Sequence, residues 1–293
     1  MFLFIYIFVG LLLGPSLFKV TLPEILFTVG SFGFLFVAGL ELNLNRLRRD
    51  FGTSSRVALS AFCIPFIVGF AYAMFVLNRN LGGSAVIAVA LAISALPVVV
   101  QILKDLRIYE TPLAHTIVAA ATLCDVLAWI LFTLMLPVEN RGRWISSHLP
   151  VLFFFVGLSL SVVVAKREGL LKFAMGSSKY FFGPLFFIGV GMKIHWQESF
   201  DLVQCLSIFT LATVAKMAGV YWSARALSIQ RAEARLMAIV LNARGAMEIL
   251  FCAIALQLGL IDETLFTSLT VMAVASSLMA APLVKALLGH KIS

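Results

Sequence analysis

Three apolar stretches carry ionisable side chains near their middle. Asp125 stands in ATLCDVLAWILF, Lys216 in LATVAKMAGVYW, and Arg244 with Glu248 in LNARGAMEILF. A charge at the centre of a membrane helix costs roughly 2.5–3.5 kcal/mol on insertion scales. Such groups persist where they face one another or a polar cavity, and there they hold and pass ions or protons. Asp125 has no charged neighbour within a helical turn, so Lys216 is its expected long-range counter-ion. Arg244 and Glu248 are four residues apart and share a helix face, where a purely structural salt bridge is an equal reading. Cys124 directly precedes Asp125. Its thiol either belongs to the site or merely fills space on a packed face.

Two of the stretches also contain helix breakers. VALAISALPVVVQIL has Ser94 and Pro97 in its interior, and the Arg244 stretch has Asn242 and Gly245. Proline cannot donate its backbone N–H and disfavours helix at the preceding residue. Broken helices at mid-membrane expose backbone groups, and transporters build binding sites around them.

The elements that position these residues follow from hydropathy. The 293 residues are 61% hydrophobic and 12% charged, with a mean hydropathy of +1.04. A soluble domain carries about twice that share of charge, and a spanning helix needs about 20 mostly apolar residues. Apolar runs between charged or Gly/Pro/Asn breaks give ten spans, approximately 1–13, 22–41, 56–77, 84–103, 113–137, 149–165, 180–194, 201–223, 235–258 and 264–288. The first has no basic flank and reads poorly as a signal peptide. Alternating the loops places 15 Lys and Arg on the side of the N-terminus and 5 on the other. That bias puts both termini in the cytoplasm. It also accounts for the net charge of +8 without a nucleic-acid partner. Spans three to five and eight to ten form two triplets of opposite topology, each with an interrupted middle helix, which is the pattern of an inverted repeat.

Enzyme chemistry finds no support: paired catalytic carboxylates, a histidine cluster and a nucleophile–His pair are all lacking from the sequence. His115, His148, His195 and His290 fall at span ends or in loops. Cys63, Cys124, Cys205 and Cys252 sit in apolar segments without a CxxC pair, so neither a metal site nor a disulfide framework is expected. No cofactor is implied.

In order along the chain, GLLLGPSL, FLFVAGLELNL, ALAISALPVVVQILKDLRI, TPLAHTIVAAATLCDVLAW, FFGPLFFIGVGMKI, the Lys216 helix and LNARGAMEI resemble the monovalent cation:proton antiporters, second branch. The resemblance covers nearly the whole chain. It implies an all-α integral membrane protein with an inverted-repeat core whose two broken helices cross at the cation site. The core is expected over about 56–137 and 201–288. Spans at about 1–41 and 149–194 are expected to form a scaffold, which leaves a homodimer open. Asp125 matches the family's ion-binding aspartate, and Lys216 the core lysine that pairs with it or stabilises the crossing. Arg244 and Glu248 match polar positions of the second broken helix. Two departures stand out: Cys124 where the family has Asp or Asn, and fewer helices between Asp125 and FFGPLFF than the family usually has.

The expected function is secondary transport in a plasma or inner membrane, exchanging Na+ or K+ for protons. Asp125 holds either a proton or a dehydrated cation, Cys124 and Ser94 lie beside it, and Pro97 and Gly245 free backbone carbonyls as further oxygen ligands. Lys216, Arg244 and Glu248 balance the charge. The alternative is a non-transporting, regulatory or channel-forming subunit of the same family.

Overall fold

The computed structural model describes residues 2–14, 18, 22–42, 51–135, 141–164 and 167–289. Among them there is helix and no strand. The helices are α1 (Phe2–Leu13), α2 (Glu24–Glu41), α3 (Phe51–Phe75), α4 (Leu81–Ala92), α5 (Leu96–Asp105), α6 (Pro112–Met135) and α7 (Arg141–Val164). They continue with α8 (Glu168–Ser177), α9 (Gly183–Met192), α10 (Trp196–Ser199), α11 (Leu202–Ala226), α12 (Arg231–Leu241), α13 (Ala246–Gln257) and α14 (Glu263–Gly289).

Seven segments are long and apolar enough to cross a membrane, with Leu81–Asp105 and Arg231–Gln257 each counted as one interrupted crossing. With α1, α7 and the α8–α9 rod, the total agrees with the expectation of about ten. The protein is a multi-pass membrane protein. Lys19, Arg46, Arg48, Arg49, Lys166, His290 and Lys291, which entered the loop-charge count or the histidine reading, lie outside the described residues.

The helix starts follow local capping chemistry. Asn80 accepts the Gly83 N–H at 2.8 Å to open α4, and Asp201 accepts those of Val203 and Gln204 at 2.9 and 3.1 Å to open α11. Thr111 and Asp262 do the same for α6 and α14. Each side chain satisfies an N–H that has no carbonyl inside its helix.

One segment departs from the sequence reading. Lys166–Lys179 was expected as a loop on account of its charges, but Glu168–Ser177 is helical and runs through a π-helical turn, Ser178–Phe182, into α9. Leu, Lys, Phe, Ala and Met between the charges are adequate helix formers. The widened turn lies just before Pro184, which cannot bond a carbonyl four residues back. Gly183 donates instead to Ser178, five back.

The chain divides into two compact units. The first comprises Met1–Asn45, Leu136–Phe200 and Asp262–Thr267. In it α1 crosses α9 where Gly10 meets Ile188 and Gly191, and α2 crosses α7 where Gly39 meets Phe154 and Gly157 meets Phe36. A side chain at these glycines would strike backbone, so they set the close approach. Phe27, Phe34, Phe186 and Phe187 pack as a ring cluster. At the start of α14, His195 Nδ1 lies 2.9 Å from Glu263, and the Ser199 and Thr267 hydroxyls share a 2.8 Å hydrogen bond.

The second unit comprises Arg46–Met135, Asp201–Ile261 and Ser268–Ser293. It holds two triplets, α3 with α4/α5 and α6, and α11 with α12/α13 and α14, each with an interrupted middle helix. Trp129, Phe132 and Phe251 tie α6 to α13, with the two phenylalanine rings 4.5 Å apart. Trp129 is one turn past Asp125 and Phe251 one turn past Glu248, so the cluster packs immediately beyond both carboxylates.

Candidate functional site

The first interruption spans Ile93 to Ala95, where the backbone turns extended (ψ 146° at Ile93, φ −95° at Ala95). It orphans the last carbonyls of α4. Val89 accepts from the Ile93 N–H at 3.1 Å. The rest are taken by two buried cations. Arg244 donates to Ala90 at 2.9 Å and to Leu91 at 2.6 Å, and Lys216 Nζ donates to Ala92 at 2.5 Å and Ile93 at 2.7 Å. Lys216 and Arg244 are both fully buried. A helix C-terminus carries partial negative charge, so cations are favoured there.

The second interruption runs from Asn242 to Gly245, and the two meet directly. The Ala95 N–H donates to Ala243 at 2.9 Å, and Ser94 Oγ donates to Leu241 at 3.2 Å. A Cβ at Gly245 would stand 3.2 Å from both the Ala95 Cβ and the Val98 Cγ2, so the small residue lets the two interruptions cross. The carbonyl ends of this break are capped by neutral donors from the other.

Pro97 lies in the first turn of α5, where its missing N–H is not needed. Its ring is exposed, apart from the buried cluster. The carbonyl four residues back is that of Ile93, and it is held by Lys216.

Asp125 is 1% exposed. It faces the backbone N–H groups of Ser94 and Leu96 at the α5 start, yet neither oxygen closes a hydrogen bond among the described residues. Lys216 is within electrostatic reach of Asp125, Cys124, Arg244 and Glu248, but its hydrogen bonds go to carbonyls, not to the aspartate. Glu248, fully buried in the first turn of α13, has one oxygen 3.4 Å from Arg244 and the other without a partner. Cys124 is fully buried, and its Sγ donates to Ala58 at 3.6 Å.

The structure therefore brings Asp125, Cys124, Ser94, Lys216, Arg244 and Glu248 to one crossing and leaves Pro97 at its edge. Sequence reasoning missed the carbonyl acceptors of Ala58, Ala90, Leu91 and Ala92 and the Ala95–Ala243 bond, because alanine and leucine types carry no signal for backbone contacts. It also missed Ser277 on α14, a buried hydroxyl by Gly245 that has no hydrogen-bond partner among the described residues. Among the described residues no group of His, Cys, Asp and Glu has the geometry of a multidentate metal site.

Chemically, a dry carboxylate with two open oxygens needs a positive partner, since burying an unpaired charge is prohibitive. A proton or a monovalent cation supplies one.

Comparison with protein families matches the chain to "Sodium/hydrogen exchanger, transmembrane" over residues 3–179 and 154–289. It is 23% identical to the Na(+)/H(+) antiporter NhaS4 of Synechocystis sp., over 95% of this chain and 88% of that protein. That alignment spans 363 positions against 293 residues here, so part of the relative has no counterpart. With the Cation/H(+) antiporter 18 of Arabidopsis thaliana it is 24% identical over 94% of this chain but 44% of that one. The chain spans less than half the length of that relative. The structure of the sodium proton antiporter MjNhaP1 from Methanocaldococcus jannaschii at pH 8 matches with a TM-score of 0.68, covering 98% of this chain and 90% of that one at 12% identity, a likeness of fold.

Proposed function

Because the chain belongs to the sodium/hydrogen exchanger transmembrane family, we propose that it exchanges a monovalent cation, Na+ or K+, for protons, with Asp125 as the group for which the two compete. The observation that carries this reading is the carboxylate of Asp125, buried against the Ser94 and Leu96 N–H groups at the first interruption, with neither oxygen closing a hydrogen bond and no cation bonded to it among the described residues. Protonated, it is neutral; deprotonated, it is balanced by a dehydrated cation, for which oxygen ligands suit a hard ion. Ser94 and Cys124 stand beside it. Lys216 and Arg244 stay on the α4 carbonyls throughout, which keeps their charges fixed while Asp125 alternates. One proton then moves per cation, and exchange is electroneutral.

The second compact unit is the moving core and the first its scaffold. Crossing occurs with either ligand loaded, but not with Asp125 empty and charged. The 15-to-5 loop bias supports cytoplasmic termini. A cysteine placed at Asn78, in the turn before α4, should label from outside in whole cells, and one at Ser228 only after permeabilisation.

Asp125→Asn tests the site, since it keeps the volume and removes the titratable charge. In proteoliposomes, wild type should couple a cation gradient to proton movement, and an imposed membrane potential should not drive cation accumulation. Asp125→Asn should abolish that movement while inserting and purifying normally. Wild-type exchange in the variant would end the proposal, and voltage-driven accumulation would end the one-for-one scheme.

A further inference from the structure

The occupant chemistry of this site is not set by oxygen alone. Cys124 is fully buried, one residue before Asp125; its sulfur lies 3.6 Å from Ala58 O and within reach of the Ser94 hydroxyl, whose backbone N–H the Asp125 carboxylate faces. Three other thiols provide a contrast. Cys63 is only partly buried and Cys205 donates to Ser268 at 3.4 Å. Cys252 lies one turn from Glu248, but that acid is engaged by Arg244, whose guanidinium repels a cation. Cys124 alone among the four stands beside a buried carboxylate with two open oxygens and no cation bonded to it.

We propose that Cys124 and Asp125 together form a mixed sulfur–oxygen site that accepts thiophilic monovalent cations, with Ag+ as the defining case. This rests on Asp125 being the cation site proposed above and deepens it by naming a second class of ion that the site holds. Soft sulfur ligands select soft ions, whereas carboxylate and carbonyl oxygens suit hard ones. On binding, the S–H bond of Cys124 breaks and an S–Ag bond forms. The proton leaves along the route that carries the exchanged proton, and no electrons are transferred. The thiolate and carboxylate then share one Ag+, and the sulfur bond holds it longer than a transported hard cation. Ag+ therefore enters as a cargo would and acts as a competitive blocker. Because Cys124 has no exposed surface, a soft cation reaches it by the pathway of the transported ion.

The experiment uses the full chain with Cys63, Cys205 and Cys252 replaced by alanine, in chloride-free nitrate buffers. Ag+ content per chain and thermal shift are measured in detergent, and inhibition of cation–proton exchange in proteoliposomes. One Ag+ per chain should bind and raise the melting temperature, and the apparent affinity should fall about 10- to 100-fold in Cys124→Ser and in Asp125→Asn. Raising the transported cation should relieve inhibition of the Cys124-only protein. Equal Ag+ binding with and without Cys124, or binding indifferent to Asp125, overturns the proposal. If the triple replacement does not fold, wild type against the single Cys124→Ser variant decides, through the loss of one bound Ag+ per chain. The binding arm needs no transport: a protein that binds Ag+ at Cys124 and Asp125 without exchanging ions would refute the exchange reading and leave this one standing.

Discussion

The two interruptions use one backbone device and complete it differently. At the first, the four carbonyls from Ala90 to Ile93 are held by Arg244 and Lys216, both charged and fully buried. At the second, the carbonyls of Leu241 and Ala243 are held by the Ser94 hydroxyl and the Ala95 N–H, both neutral. The helix starts differ as well. Asp125 faces the start of α5 from another helix with both oxygens open, whereas Glu248 lies in the first turn of α13 and gives one oxygen to Arg244. A broken helix supplies orphan backbone groups but does not decide what they do. Where fixed cations already occupy the carbonyl end, the carboxylate that faces the N–H end is the group we propose exchanges its partner. Where the carboxylate is tied to an arginine, the same motif holds the fold.

Arg244→Met should have the largest effect. It removes the donors of two α4 carbonyls and leaves Glu248 buried without its cation. Removing one member of a buried pair costs about 3–5 kcal/mol. The apparent melting temperature in detergent should collapse, or the protein should fail to accumulate. Asp125→Asn, by contrast, removes a buried charge that faces only backbone N–H groups and has no bonded cation, and its melting temperature should hold or rise. A variant at Arg244 as stable as wild type would show that its contacts on α4 do not hold the crossing.

Lys216→Met comes next. Two carbonyls lose their donor, at about 1–3 kcal/mol for each buried acceptor left unsatisfied, but no carboxylate is bonded to the ammonium. Thermal stability should fall by less than for Arg244→Met, and exchange should drop with it because Asp125 loses a fixed charge within its reach. Unchanged stability in this variant would mean that Lys216 serves Asp125 alone and not the helix end.

Much of this was legible in residue types. Ser94 with Pro97, and Asn242 with Gly245, are breakers inside apolar runs, and both breaks fall beside them. The ordered motifs pointed to the antiporter family, and the family match agrees. What hydropathy could not give is direction. Pro97 does free the Ile93 carbonyl, but Lys216 takes it, so it is not an open oxygen ligand. A lysine and an aspartate on neighbouring helices read as a pair by sign alone, whereas the ammonium points to two carbonyls. Charge misled at Glu168–Ser177, where Glu168, Lys172 and the charged flanks looked like a loop and local propensity made helix. Ala95 bonding Ala243 through the backbone leaves no trace in either residue's type.

Ser94→Ala should have the smallest effect, since it touches only the neutral caps of the second break. The hydroxyl donates to Leu241 at 3.2 Å, a long bond between uncharged groups. Net contributions of such bonds cluster near about 1 kcal/mol. The Ala95–Ala243 bond at 2.9 Å remains, and alanine fits wherever serine did, so the two interruptions should still cross. For a chain of this size about 1 kcal/mol corresponds to a fall of about 2–4 °C in apparent melting temperature. Exchange should persist, because neither Asp125 nor the cations on α4 lose a bonded partner. If charged caps hold the first break and neutral ones merely finish the second, the order of destabilisation must be Arg244→Met, Lys216→Met, Ser94→Ala. A fall at Ser94 as large as that at Arg244 would place the weight of the crossing on the neutral side and reverse the assignment.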